Sequence, residues 1–176
     1  EPIDVAEVLR QELGSKASQI VVDRDQPFAT GSFAQVYHCR IVDHPNNQYI
    51  IKILRPSVVR YLNFDLAVLR FCCWAGQFIL KNDIFPLVEI ADEFIKTTKR
   101  ETDYQRELIT AQAIREYFAK RTDNVVVPET LADYSTRRIL VQNYIEGLPL
   151  TEVVEQAQAG RDTYQFVKDQ LGSDMQ

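Results

Sequence analysis

Three features of this sequence have residue types suited to binding a phosphate. A stretch of small residues at 29–36 reads ATGSFAQV, which lets backbone N–H groups approach an oxygen atom closely. Lys52 lies in the apolar stretch IIKIL, and an acidic cluster, RETDYQRE, occupies residues 100–107. A small-residue hairpin or a strand lysine is common by itself. Their order and spacing together favour phosphate binding over a plain hairpin.

The loop and the lysine follow the spacing that protein kinases use to hold ATP. In those enzymes a G-x-G-x-x-G-x-V loop covers the phosphates, and a lysine on the third strand contacts them. Here Gly31 stands at the second glycine position, and alanines stand at the first and third. The loop residues that we expect at the nucleotide are Ala29, Thr30, Gly31, Ser32, Phe33, Ala34 and Val36.

The acidic cluster lies in a segment, 87–120, that has helical periodicity and no Gly or Pro. We predict one long helix with a kink or break, because this length exceeds that of the usual globular helix. Glu101 falls on its inward stripe, where a carboxylate costs free energy unless a cation meets it. Asp103 and Glu107 are four apart and would share a face. A solvated acidic face is the alternative.

The first third of the chain predicts a helix and several strands. Residues 3–13 have the pattern of an amphipathic helix ended by Gly14. A short strand is predicted at 19–23, and a hairpin-like pair of strands follows it at 28–36 and 37–42. Residues 44–48, HPNNQ, have the composition of a turn. A further strand is then predicted at 49–54, ended by Arg55-Pro56.

The rest of the chain alternates helices and strands. A helix is predicted from about Asp65 to Leu80, apolar on nearly every side, and we expect it to be a buried core helix and too short to span a membrane. The remaining predicted elements are strands at 124–127, 131–134 and 137–142 and a helix at 150–166. Helices combined with about five strands predict an α+β fold.

Composition excludes several classes of function. The chain has a net charge of −5 and a pI of about 5.1, so no nucleic-acid partner is expected. Its three cysteines form no Cys-x-x-Cys pair, which argues against a disulfide framework and a zinc site. His38 and His44 have no ligand partners at metal-binding spacing, so we expect them in an exposed loop or at strand ends, and no metal ligand is predicted.

The motifs together resemble the UbiB (AarF) family of atypical protein-kinase-like proteins. The resemblance covers roughly residues 10–150 and rests on FATGSFAQVYHCRI, IIKILRPSV, RETDYQRELITA and VPETLADYSTRRILVQNYIEG in this order. The Arg-Pro pair, the E-x-D-Y-x-x-E spacing and N-Y-I-E-G are its specific parts, because the loop and the lysine also fit ordinary kinases. Gly31, Tyr37 and Asn143 depart from the residues usual in the family.

The resemblance implies a kinase-like N-lobe, with an antiparallel sheet of about five strands, a long αC-like helix and an extra inserted helix. It makes Lys52 the phosphate-binding lysine and Glu107 the αC glutamate that pairs with it. Glu101 and Asp103 would be the family's E-x-D acids at the nucleotide. Three hinge residues follow from it: Gln142 as gatekeeper, and Asn143 and Ile145 as main-chain contacts to the adenine edge.

The resemblance also divides the chain into a nucleotide-binding N-lobe at 1–150 and the start of a C-lobe at 151–176. The family's K-x-G-Q, H-x-D-P-H-P-G-N and D-F-G motifs do not occur in these residues. We therefore expect the Mg²⁺ ligands to lie in the missing C-lobe and this chain alone to be inactive. The implied cofactors are ATP and Mg²⁺, the implied activity is that of an atypical kinase or ATPase, and the implied context is ubiquinone (isoprenoid lipid) metabolism.

Two other functions remain open from the residues. The chain can be the N-lobe of an ordinary protein or small-molecule kinase, which an ion pair between Lys52 and Asp65 would favour. It can also be a non-catalytic binding or scaffold module whose helix at 66–80 docks a partner or a membrane surface. The expected partners are a nucleotide and either a lipid surface or lipid-biosynthesis proteins. The expected location is cytoplasmic, with peripheral membrane association left open.

Overall fold

The chain is described by a computed structural model that covers residues 3–80, 85–121 and 125–171. It divides into two compact units, Glu1–Tyr144 and Ile145–Gln176. The first unit contains, in chain order, α1 (Val5–Leu13), a 3₁₀ segment (Gly14–Gln19), β1 (Ile20–Val22), β2 (Ala29–Thr30), β3 (Ala34–Ile41), β4 (His44–Leu54), α2 (Pro56–Leu80), α3 (Leu87–Glu101), α4 (Tyr104–Ala119), a 3₁₀ turn (Ala132–Tyr134) and β5 (Ile139–Asn143). The second contains α5 (Leu150–Gln158) and α6 (Thr163–Leu171).

The sheet of the first unit is antiparallel, with the order β1-β3-β4-β5. The short strand β2 also pairs with β3, so β1 and β2 together line one edge of the sheet. In the register, Lys52 of β4 lies between Val36 of β3 and Leu140 of β5. The predicted α+β class, the kinase-like sheet of five strands and the inserted helix are confirmed.

Each face of the sheet packs against a different helix. On one face, the side chains of Tyr37, Ile51, Ile53 and Val141 are fully buried in a cluster that includes Leu9 of α1. On the other face, a smaller cluster joins Leu54 and Leu140 to Tyr104 and Leu108 of α4. Alternate residues of a strand point to opposite faces, so Lys52 and Leu54 share the face on which α4 packs.

The strand β4 is longer than the sequence predicted, because residues 44–48 belong to it and do not form the turn. The turn is Val42-Asp43, directly before the strand. The pairing shifts between Cys39↔Tyr49 and Ile41↔His44, so the proline and the two asparagines lie where the ladder is irregular. Pro45 is tolerated there, since it has no N–H to contribute to a regular ladder.

The region before β5 differs from the predicted pair of strands. Residue 124 lies outside the described residues, and residues 125–129 form no strand. Ala132–Tyr134 form a 3₁₀ turn in place of the strand predicted at 131–134. The hydroxyl of Ser135 donates to the carbonyl of Leu131 (2.7 Å) and accepts the amide N–H of Val141 (3.1 Å). A serine hydroxyl that bonds nearby backbone offers the chain an alternative to a strand ladder.

Helix α2 begins nine residues earlier than predicted, because Pro56 is suited to the first position of a helix and starts one here. One side of α2 packs on α3, where Arg70 pairs with Asp92 (2.6 Å) and the amide N–H of Val88 donates to Gln77 (3.2 Å). The prediction that this is a buried core helix is wrong. Its opposite side exposes large apolar side chains: Tyr61, Phe64, Val68, Phe71, Trp74, Phe78 and Ile79.

Two long predicted helices are each broken in two. The helix predicted at 87–120 ends as α3 at Glu101, and α4 begins at Tyr104 after an N-cap at Asp103, as the expected break required. The helix predicted at 150–166 ends at Gln158, and Gly160 with φ of 71° turns the chain toward α6. Among the described residues, no helix combines the length and hydropathy needed to cross a bilayer.

Candidate functional site

Lys52 and Glu107 form an ion pair between β4 and α4, with Nζ and Oε1 2.6 Å apart. Lys52 also lies 5.4 Å from the centre of the Tyr104 ring. The lysine side chain is 28% exposed and the glutamate side chain 42% exposed. Because the cation is held from one side and open to solvent on the other, it can still accept a second anion.

Helix α4 is positioned by contacts at its first turn. The carboxylate of Asp103 accepts the amide N–H of Gln105 (3.2 Å), which caps the helix. The amide N–H of Tyr104 donates to the carbonyl of Arg137 (3.1 Å), next to β5. Burial, reinforced by the nearby charge of Glu107, raises the pKa of the Tyr104 hydroxyl well above its usual range. Tyr104 is therefore a neutral, buried anchor that holds Glu107 toward the sheet.

The predicted phosphate loop is the turn between β2 and β3. It is closed by the amide N–H of Gly31, which donates to the carbonyl of Ala34 (2.9 Å). Among the described residues, the amide N–H groups of Ser32 and Phe33 have no hydrogen-bond acceptor. Gly31 and Ser32 are exposed, and a Cβ at Gly31 would meet nothing closer than 3.8 Å. The loop thus offers free backbone donors with little side-chain bulk above them.

Arg55 ties this loop to the end of β4. Its backbone N–H donates to the carbonyl of Phe33 (2.8 Å), and its guanidinium donates to the carbonyl of Gly31 (3.3 Å). The Arg-Pro pair after the lysine was recognised in the sequence only as the end of a strand and a family motif. Its structural role is to hold the loop beside Lys52, because β3 and β4 bring Ala34 opposite Leu54.

The predicted hinge lies at the end of β5. Gln142 pairs with Ile50 and, two positions from Leu140, points to the same face as Lys52. The amide N–H of Asn143 donates to the carbonyl of Glu129 (2.9 Å). Ile145 is the first residue of the second unit. The geometry described here therefore concerns the first unit alone.

An aromatic cluster next to the hinge was missed in the sequence. His38 lies 4.4 Å from Phe28 and 4.7 Å from Tyr144, measured between ring centres. The prediction that His38 is an exposed loop or strand-end residue is wrong, since it is half-buried within β3. The alternation of side chains along a strand could have indicated this position. His38 is two positions from Val36, and so shares the face of the sheet that carries Lys52.

A cavity of about 420 Å³ adjoins this cluster. Phe28 and His38 line it together with Gln48 and Tyr49. Neither Lys52 nor the loop residues 29–36 contribute to it. This cavity therefore belongs to the aromatic end of the sheet and is distinct from the lysine and the loop.

The structure brings most of the predicted phosphate-site residues together and leaves one apart. The loop, Lys52 and Glu107 meet on one face of the sheet, and Asp103 caps the helix that carries Glu107. Glu101, expected on an inward stripe, is exposed at the end of α3 because the break at Thr102 ends the stripe. Asp65 is also exposed and makes no ion pair with a described residue, so the geometry that would favour an ordinary kinase is not seen.

The side chains that could bind a metal are dispersed in the part of the chain that the structure describes. Within residues 3–80, 85–121 and 125–171, no three or more His, Cys, Asp or Glu side chains form a group suited to a metal ion. The carboxylate of Glu107 is already engaged by Lys52, so these residues offer no ready set of oxygen ligands to a Mg²⁺ ion.

Comparison with known proteins agrees with this geometry. The ABC1 atypical kinase-like domain matches residues 2–173. A curated relative, "Probable protein kinase UbiB" of Tolumonas auensis, is 29% identical over 147 residues, which make up 83% of this chain and 27% of that protein. A solved structure described as the Rv3197–erythromycin complex from Mycobacterium tuberculosis has a TM-score of 0.72 and 25% identity, over 86% of this chain and 37% of that chain.

This chain thus spans well under half the length of either protein. The family match, in contrast, covers almost all of this chain. The prediction of a UbiB (AarF) kinase-like protein is confirmed, and the chain belongs to the ABC1 atypical kinase-like family.

Proposed function

We propose that the first unit binds the phosphates of ATP between the loop at 29–36 and Lys52. The observation that carries the proposal is the 2.6 Å contact between Lys52 and Glu107, because it holds a partly exposed cation on β4, in register with Val36 at the end of the loop. The free amide groups of Ser32 and Phe33 supply neutral donors on the other side. A lysine paired with a helix glutamate beneath a small-residue loop is the arrangement that kinases use to hold ATP.

We propose that Lys52 and Glu107 have different electrostatic roles. Lys52 would bind the α and β phosphates as a point charge, and Glu107 would hold the lysine in place while the nucleotide exchanges. The exposed Phe28 ring and the carbonyl of Asn143 lie toward the other end of the same sheet, where the base would be placed. Magnesium and the acceptor would be held by residues outside this chain, so we expect no phosphoryl transfer from it alone.

A titration of the isotope-labelled chain with ATP, followed by NMR, tests the proposal. We expect shifts at the amides of residues 29–36, with weak affinity. Lys52→Met should weaken binding by about tenfold or more, because a charged hydrogen bond to phosphate is lost. Glu107→Gln should weaken it less, because the lysine remains but is no longer oriented.

Two matched controls come from Glu116 of α4 and Lys120 at its C-terminal end, which are exposed and whose side chains make no hydrogen bond or ion pair with a described residue. Glu116→Gln and Lys120→Met change the same charges away from the loop, and both should bind ATP like the parent chain. Equal affinity in all five proteins would contradict the proposal. Steady release of γ-phosphate by this chain alone would contradict the expected lack of activity.

For the whole protein, we propose an atypical kinase or ATPase activity connected with ubiquinone metabolism. The support is the family match together with the name of the curated relative. Deleting the full-length gene and measuring ubiquinone content tests this connection. Normal ubiquinone content after deletion would contradict the connection, and full rescue of a lowered content by a Lys52→Met gene would contradict a role of Lys52 in it.

A second candidate function, docking to a partner or membrane surface, is favoured by the exposed side of α2. There Phe71 and Trp74 have ring centres 5.8 Å apart, and Trp74 stacks on Phe78 at 6.0 Å. Liposome binding that depends on Phe71 and Trp74, together with no thermal shift by ATP and Mg²⁺, would favour this function over nucleotide binding.

A further inference from the structure

A pocket of about 200 Å³ lies on the side of the first unit where α2 begins and α3 ends. Its apolar lining comes from the end of β4 and the first turns of α2, chiefly Leu54, Val59 and Leu62. Leu54 is buried and the other two are half-buried. The pocket therefore has a well-ordered apolar wall that can accept a small nonpolar group.

The charged side chains that line this pocket are all cations: Lys99, Arg137 and Arg138. No Asp or Glu lines it, although the chain as a whole has a net charge of −5. Arg138 is neutralised by Glu12, with Nη1 and Oε1 3.0 Å apart. Lys99 and Arg137 have no ion-pair or hydrogen-bond partner for their side chains among the described residues.

A polar neutral group of the pocket suits the same kind of ligand. Asn63 lines it as well, and its side-chain amide can donate a hydrogen bond, whereas the hydroxyl of Thr102 already donates to the carbonyl of Thr98 (2.9 Å). Two unpaired cations beside an apolar wall attract an anion that carries a nonpolar group. The volume is far too small for an acyl chain, so the nonpolar group inside the pocket has to be compact.

We propose that this pocket binds a small soluble anion, a phosphate monoester, that carries a compact apolar group. The phosphate would lie between Lys99 and Arg137, and the apolar group against Val59 and Leu62. The pocket is separate from the nucleotide site, since it shares no residue with the loop at 29–36 or with Lys52 and Glu107.

The pocket is connected by backbone to the start of α4. The carbonyl of Arg137 accepts the amide N–H of Tyr104 (3.1 Å), and Thr102, the C-cap of α3, precedes Tyr104 by two residues. A ligand that orders Arg137 and Thr102 would therefore also change the NMR chemical shift of the Tyr104 amide. This gives the test a readout at a position that the ligand itself does not touch.

The test is an NMR titration of the labelled chain with phenyl phosphate, with inorganic phosphate and phenol as the two partial ligands. We expect saturable shifts at the amides of Lys99, Thr102, Tyr104 and Arg137, and at least about fivefold weaker binding of either partial ligand. Vesicles of phosphatidylcholine with phosphatidic acid form a fourth arm and should produce none of these shifts.

Variants locate the site. Arg137→Gln and Lys99→Gln should each weaken the binding of phenyl phosphate by about tenfold, because each removes one charged contact. Both side chains are exposed and unbonded, so the variants should unfold at the same denaturant concentration as the parent chain. Lys120→Gln removes an exposed cation elsewhere and is the matched control, and Arg137→Lys should retain part of the affinity.

Several results would overturn the proposal. Unchanged affinity in the double variant of Lys99 and Arg137 would show that the anion binds elsewhere. Equal affinity for inorganic and phenyl phosphate would show that the apolar wall plays no part. Shifts produced by the vesicles alone would assign this surface to a lipid headgroup and not to a soluble ligand.

Discussion

Lys52 and Glu107 are 55 residues apart in the chain and 2.6 Å apart in the structure. Ion pairs that are this exposed contribute at most about 1 kcal/mol to stability, because water screens the charges. Their value to the protein lies in geometry, since the glutamate holds a flexible lysine at one position above the sheet. The pair therefore matters for the position of the lysine more than for the stability of the fold.

A second single residue, Cys39, should make the stability of the chain depend on pH in alkaline solution. Burial raises the pKa of its thiol from 9.0 to about 12. Above about pH 9 the unfolded chain loses the thiol proton, whereas the native chain keeps it. The stabilisation that the native state gains from the protonated thiol is therefore complete below about pH 9 and is lost as the pH rises toward about 12. We expect the free energy of unfolding to fall by up to about 1.4 kcal/mol per pH unit in urea titrations over this range.

The control for this effect is Cys39→Ala, which removes the thiol. In this variant the free energy of unfolding should change less with pH just above pH 9. Tyr104, whose pKa is also raised by burial, keeps its own dependence above about pH 10 in both proteins. Identical slopes for the parent chain and the variant between about pH 9 and 10 would contradict the prediction.

At the scale of elements, the break between α3 and α4 decides where Glu107 points. Asp103 caps α4 through the amide N–H of Gln105. We expect Asp103→Ala to lower the free energy of unfolding by about 1 kcal/mol, within a range of about 0.5–2 kcal/mol, because one helix donor loses its acceptor. Chemical denaturation of the purified chain measures this.

Asn caps a helix as well as Asp does, so Asp103→Asn should retain most of the stability. The pair of variants separates capping from charge. A loss in Asp103→Asn as large as in Asp103→Ala would contradict a role in capping and show that the carboxylate stabilises the chain through its charge.

Helix α4 is attached to the sheet by few residues, and Leu108 is one of them. It is buried with Leu54 and Leu140, whereas its neighbour Ile109 is 63% exposed. We expect Leu108→Ala to cost about 2–5 kcal/mol and Ile109→Ala less than about 0.5 kcal/mol, as measured by urea unfolding.

The same variants test the link between packing and the site. Leu108→Ala should also weaken ATP binding, because Glu107 lies next to it on the helix that has been loosened. ATP affinity equal to that of the parent chain, despite the lost stability, would show that α4 does not control Lys52.

At the scale of the whole molecule, the exposed side of α2 is the largest departure from expectation. Its single tryptophan, Trp74, is 52% exposed, and Phe78 and Ile79 are 73% and 75% exposed. We expect the native fluorescence of Trp74 to resemble that of tryptophan in water, to be quenched readily by acrylamide, and to change little in wavelength on unfolding.

Dilution is the control for this prediction, because a second copy covering the face would shift the emission to shorter wavelength at high concentration. Emission at short wavelength that persists at the lowest measurable concentration would contradict the exposed position of Trp74. Trp74→Ala should then cost several kcal/mol, as it would in a packed core.

Prediction from the sequence was most successful where the signal was local. The strand at 49–54, its end at Arg55-Pro56 and the loop at 29–36 all follow from residue type and spacing, and the structure shows the strand, its end and the small-residue turn. Residues 44–48 were read as a turn from their composition, yet they lie in β4. Pairing with β3 decided this, and a partner strand is not visible in a short window of sequence.

The sequence by itself determined the kinase-like family, the order of loop, lysine and acidic cluster, and the existence of a break between residues 87 and 120. The tertiary structure alone decided that Glu101 is exposed, that the apolar side of α2 is not buried, and that Lys99 and Arg137 line one pocket without a carboxylate. The physical reason is that backbone preferences depend on neighbouring residues, whereas burial and ion pairing depend on which distant segments the fold brings together.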